Sequence, residues 1–130
     1  MKHALVKERE RDEGEVIYKV LENIIHKWGI TSDVLAKIIH VDSSTFRKWE
    51  QAKKVPFKKE STNQKEEVIK AFLRLDKYLS QMFYNVEDQR LWLTSKHNQL
   101  DVVPLDYLQG SLDNLFNLKN YLSWAISKGA

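Results

Sequence analysis

The 130 residues, 42% hydrophobic and 11% aromatic, suffice to bury a core in one domain or in two small lobes that share it. No cysteine occurs, which excludes disulfides, thiolate zinc sites and cysteine nucleophiles and fits a reducing cytoplasm, and no apolar run reaches the roughly 18 residues of a membrane span. A net charge of +3 does not by itself argue for nucleic acid, so what matters is where the positive charge sits.

Residues 1–14 make a charged arm, unbroken from Lys7 to Glu13. Opposite signs fall three apart at Lys7 and Glu10, Glu8 and Arg11, and Arg9 and Asp12, a pattern open to a solvated helix or to disorder. From Glu15 to Trp28 the residues Val16, Ile17, Val20, Leu21, Ile24, Ile25 and Trp28 form one apolar stripe, and Gly29 is placed to end the helix.

Ser32 to Gln51 reads as two short helices joined by a tight turn. Leu35, Ala36 and Ile39 share one face, Val41 sits in the turn, and Phe46 with Trp49 marks the inward side of the second helix. His40 occupies a turn position that favours a left-handed backbone, and Ser43 with Ser44 is expected to cap the second helix. This is a helix-turn-helix pattern. The polar face of its second helix offers Ser43, Ser44, Thr45, Arg47, Lys48 and Gln51, types that contact phosphates and base edges in a major groove.

From Arg47 to Lys59 six positive charges stand against Glu50 alone, leaving +5, and Pro56 turns the segment into a loop. Lys53 and Lys54, with Lys58 and Lys59, could reach phosphates without a fixed orientation. A DNA-binding lobe over 15–62 is the expectation.

Residues 63–85 read as a long connecting helix, Asn63 to Tyr84, with Val68, Phe72, Leu75, Leu79 and Met82 on a stripe wide enough to need cover on more than one side. In 86–130, Asn85 and Asp88 signal a cap before a short helix carrying Leu91, Trp92 and Leu93. Ser95 to Val103 is a polar connection. Pro104 opens another short helix with Leu105 and Leu108 inward and Gly110 at its end. Ser111 is the expected cap of the last helix, whose apolar positions run from Leu112 to Ile126 and whose end is marked by Lys128 and Gly129. The predicted class is all-α: a helix-turn-helix lobe joined by a long helix to a small helical C-terminal domain.

Enzyme signals are absent. His3, His26, His40 and His97 show no paired metal spacing, no glycine-rich phosphate loop occurs, and Asp101 with Asp106 is a loop and helix-start pair. No catalysis, cofactor or metal is expected.

The stretches "KWGITSDVLAKIIHVDSSTFRKWEQAKKVP", "RLWL", "PLDYLQGSLDNL" and the closing "YL" resemble the Xre/MbcA/ParS-type antitoxins across roughly Val16 to Gly129. The resemblance implies an antitoxin that represses its own operon through operator DNA and neutralises a toxin of the RES-type, NAD-degrading fold. It also implies that Pro104, Leu105, Leu108 and Gly110 are structural, while exposed Asp106, Asp113 and Lys128 face the toxin. The chain departs from many relatives by carrying Leu100 to Val103, "LDVV", where they place glycine before the proline. A homodimer is expected, since one such hairpin reads only a half-site. The alternative is a stand-alone repressor without a toxin.

Overall fold

The computed structural model describes residues 2–129, with side chains described from residue 13 onward. Among the described residues seven α-helices account for the fold: α1 (Lys2–Trp28), α2 (Ser32–Ile38), α3 (Ser43–Ala52), α4 (Gln64–Met82), α5 (Val86–Thr94), α6 (Pro104–Leu108) and α7 (Leu112–Ser127). Among the described residues the only β pairing is an isolated bridge between His97 and Val102. The protein is all-α.

α1 does not begin near Glu15. It runs unbroken through the charged segment, so of the two states open to the arm the backbone of residues 2–14 takes the helix. The side chains of the charge pairs expected at Lys7 to Asp12 lie outside the described residues. Gly14, which reads in the sequence as the end of the arm, is buried in mid-helix. Its carbonyl accepts from the amide of Val55 at 3.1 Å, and a Cβ at this position would run into the Val55 carbonyl oxygen. The helix gives up the roughly 1 kcal/mol that Gly concedes to Ala, and the loop after α3 crosses it at backbone contact.

The other end of α1 closes as expected. Gly29 has φ +69°, and the amides of Gly29 and Ile30 reach the carbonyls of His26 and Ile25 at 3.2 and 3.1 Å, a Schellman closure. Arg90 of α5 donates to the same carbonyl edge, through Nε to Lys27 at 2.6 Å and through Nη2 to His26 at 2.8 Å. A cation bonded to the last carbonyls also complements the helix dipole. Lys27 and Trp28 then both engage Asp76 of α4, at 2.6 and 3.2 Å, and Trp28 meets Phe72 edge-on with ring centres 5.2 Å apart.

α4 is the spine. It buries Val68, Ile69, Ala71, Phe72, Leu75 and Leu79, and α7 packs along it with Leu115, Leu118, Leu122 and Ala125. That is the two-sided cover its wide stripe requires. The buried apolar residues from Tyr18 to Leu122 form one continuous cluster, so the N- and C-terminal parts share a core. Asn63 and Phe83 are caps of α4, and Tyr84 beyond them is fully exposed.

In the C-terminal part, Asn85 Oδ1 accepts from the Asp88 amide at 2.8 Å, as its spacing predicts. Pro104 stands in the first turn of α6, also as predicted. Three details differ from the sequence reading. Leu91 points outward, and the inward side of α5 carries Leu93 together with Gln89, whose Nε2 donates to the Phe83 carbonyl at 3.1 Å. Leu105 is only half buried. Ser111 holds the cap position of α7 without a cap hydrogen bond; its hydroxyl donates to Asn114 Oδ1, and Asn114 Nδ2 donates to the Tyr107 carbonyl at 2.8 Å, fastening α7 to α6.

Candidate nucleic-acid interface

α2 and α3 are set against each other by packing and by one internal polar contact. Thr31 caps α2 by accepting from the Val34 amide at 3.2 Å, and Leu35, Ala36, Ile38 and Ile39 are buried. Across the pair, the Ser32 hydroxyl donates to Glu50 Oε2 at 2.6 Å. The carboxylate that tempers the basic segment is therefore engaged inside the helical pair. Glu50 and Glu22 also face Tyr18, whose hydroxyl pKa is raised by burial first and then by the two carboxylates.

Both helices end in the same closure as α1, but on residues other than glycine. His40 has φ 58° and Lys53 φ 52°, with Val41 N to Ala36 O at 3.0 Å and Lys54 N to Trp49 O at 3.1 Å. The left-handed His40 matches the sequence reading. That of Lys53 carries no sequence signal, since lysine has no special preference for that region.

The expected cap at Ser43 and Ser44 is a correction. α3 starts at Ser43, its cap residue is Asp42 with φ −66° and ψ 147°, and no side-chain cap bond is made. The register is fixed by buried Ile39 and half-buried Val41, so Asp42 is the last extended residue before the helix. Its carboxylate at the helix start suits the dipole without accepting a specific bond. Ser43 and Ser44 are consequently exposed in the first turn.

Phe46 and Trp49 point inward, their rings 5.7 Å apart. Ser44, Arg47, Lys48 and Gln51 occupy the i, i+3, i+4, i+7 stripe on the other side, all exposed, and Thr45 is half buried at its margin. Among the described residues no carboxylate pairs with Arg47, Lys48, Lys53 or Lys54. Their charge is available to a ligand.

The basic loop after α3 is tied by its backbone, which leaves its side chains outward. Val55 is buried on Gly14, the Lys59 amide donates to Glu13 Oε1 at 2.9 Å, and the Lys58 amide and Ser61 hydroxyl both donate to Glu66, each at 3.4 Å. Lys53, Lys54, Lys58 and Lys59 are all exposed. Glu66 is the buried anchor of this loop. Burial works against its ionisation, but Lys65 at 3.7 Å and the Lys58 and Ser61 hydrogen bonds outweigh it and hold the carboxyl below the usual Glu range. Neither Gly14 nor Glu66 could be singled out from periodicity, because a close backbone crossing and a buried carboxylate both run against the apolar pattern.

In the C-terminal part, Asp106, Asp113 and Lys128 are exposed but do not form one site. Asp113 lies in the first turn of α7 and Lys128 caps its end, about 22 Å apart along the axis at 1.5 Å per residue. Asp106 lies on α6, which packs against α7. Lys128 instead borders a cleft of about 590 Å³ walled by Met82, His97, Tyr121 and Trp124. That cleft ends an aromatic row: Phe83, Trp92, His97, Tyr121 and Trp124 follow one another at ring distances of 6.3, 5.7, 6.1 and 6.0 Å. Trp124 is 54% exposed. The sequence carried one signal for it, a tryptophan off the apolar stripe of the last helix. Gln89 Oε1 and His97 Nδ1 are buried in this part of the molecule without a hydrogen-bond partner.

Chemically, the α3 stripe and the tied loop make a cationic and amide-bearing surface on a rigid backbone, suited to phosphates and base edges. No protein-family model matches the chain, and no curated protein matches it.

Proposed function

We propose that the chain is a DNA-binding antitoxin, in which α2 and α3 form a helix-turn-helix and α3 reads operator DNA from the major groove. The observation that carries this reading is the two-sidedness of α3: Phe46 and Trp49 buried, and Arg47, Lys48 and Gln51 exposed on one stripe beside a loop whose lysines are held outward. Arg47 and Gln51 would meet base edges, while Ser43, Ser44, Thr45, Lys48, Lys53 and Lys54 would meet phosphates. Two copies related by a two-fold axis would cover a palindromic site.

The toxin-binding half rests on the resemblance of the C-terminal segments to Xre/MbcA/ParS-type antitoxins and on charge. Residues 86–130 hold five acidic and four basic side chains, −1 against +5 for 47–59. Such a lobe, with the partly exposed aromatic cleft beside Lys128, suits a protein surface better than phosphate. The partner in this reading is a RES-type toxin encoded next to the antitoxin.

A reporter fused to the gene's own upstream region should be repressed by the wild-type chain and released by Arg47→Ala. The same Arg47→Ala chain, expressed from a foreign promoter, should still rescue growth from the neighbouring toxin and co-purify with it, whereas Asp113→Lys with Lys128→Glu should weaken rescue. Repression without any rescued or co-purifying neighbour would favour a stand-alone repressor. Neither repression nor rescue would remove both halves of the reading.

A further inference from the structure

Away from the α3 stripe, α1, the basic loop and α4 enclose a groove of about 570 Å³. Its floor is apolar: Val16, 56% exposed, with Ile17, Phe57 and Leu73 half buried. Its rim is cationic. Lys59 and Arg74 are exposed, and Lys70 is half buried with its ammonium donating to the Ser61 carbonyl at 2.9 Å. Among the described residues Glu13 is the one carboxylate on the rim, and it is occupied by the Lys59 amide.

We propose that this groove docks an acidic amphipathic helix of a protein partner, its apolar face on Val16, Ile17, Phe57 and Leu73 and its carboxylates against Lys59, Lys70 and Arg74. An amphipathic helix laid in an apolar groove is an established recognition mode, and complementary rim charge sets its orientation and selects against other partners. The alternatives fit less well. A second copy seated by a two-fold axis would bring Lys59, Lys70 and Arg74 against their own images. Nucleic acid matches this largely aliphatic floor less well, since such interfaces are more polar and more positively charged. A bilayer is met by a protruding apolar face, and this one is recessed.

The test uses the full chain and two synthetic helical peptides, with leucines at i, i+3, i+4 and i+7 and either glutamate or lysine at the flanking positions, titrated by calorimetry. The glutamate peptide should bind and the lysine peptide should be at least roughly tenfold weaker. Val16→Glu, at an exposed position and with its fold checked by melting temperature, and Arg74→Glu should each weaken the glutamate peptide by roughly tenfold or more. Arg47→Ala should leave it unchanged, separating the groove from the α3 surface. Equal binding of the two peptides, no binding, or binding indifferent to Val16→Glu would overturn the proposal. So would a dimer that Val16→Glu dissociates in sedimentation, which would assign the groove to a second copy.

Discussion

Trp49 decides which way α3 faces. It is 5% exposed, packed against Phe46, and its place three residues on from Phe46 made it readable as core from the sequence. Trp49→Ala should lose about 3–5 kcal/mol through lost burial and a residual cavity, seen as a large drop in melting temperature by circular dichroism. An unchanged melt with lost DNA binding would put the indole on the outer face. Gly14 is the opposite case, a residue whose importance no pattern revealed because its role is the absence of a side chain. In an isolated helix Gly14→Ala gains up to about 1 kcal/mol. Here the new methyl meets the Val55 carbonyl, so the expected net effect is a loss of about 1–3 kcal/mol in urea unfolding. A stabilised variant would mean that the loop does not lie on α1 as described.

At the scale of elements, termini with side-chain or backbone chemistry of their own were legible: Gly29, Asn85 and Pro104 all stand where their residue types predict. The start of α3 was not, because the choice among Asp42, Ser43 and Ser44 is made by how the turn packs through Ile39 and Val41. The length of α1 was not either, since a run of alternating charge is compatible with helix and with disorder. The basic loop makes a pH prediction. The depressed carboxyl of Glu66 stabilises the fold at all pH above the usual Glu value, about 4.3, and that contribution is lost as pH falls through its lower folded value. Thermal melts of wild type and Glu66→Gln should therefore run at a constant offset from pH 7 to about 5 and converge only in more acid solution. A difference that keeps growing as pH rises from about 5 to 7 would contradict the loop anchorage.

Across the whole molecule, the segregation of charge, the all-helical class and a core shared between the lobes could all be read before the structure, whereas which helix covers α4 could not. α7 packs along α4 and puts Leu115, Leu118 and Leu122 into the shared core, so removing the C-terminal helix to isolate a DNA-binding fragment would open the core. Surface substitutions are the appropriate probes, and Arg47 and Lys54 are the two that separate base reading from phosphate attraction. The most direct measurement is a fluorescence anisotropy titration of wild type, Arg47→Ala and Lys54→Ala against a duplex from the gene's own upstream region and an unrelated duplex, over a series of salt concentrations. Arg47→Ala should weaken the upstream duplex by about 1–3 kcal/mol and the unrelated one far less, and Lys54→Ala should weaken both alike and lower the salt slope by about 0.9. Folded variants that bind both duplexes as wild type does, or a wild type that binds neither, would contradict the assignment of α3 as the reading helix.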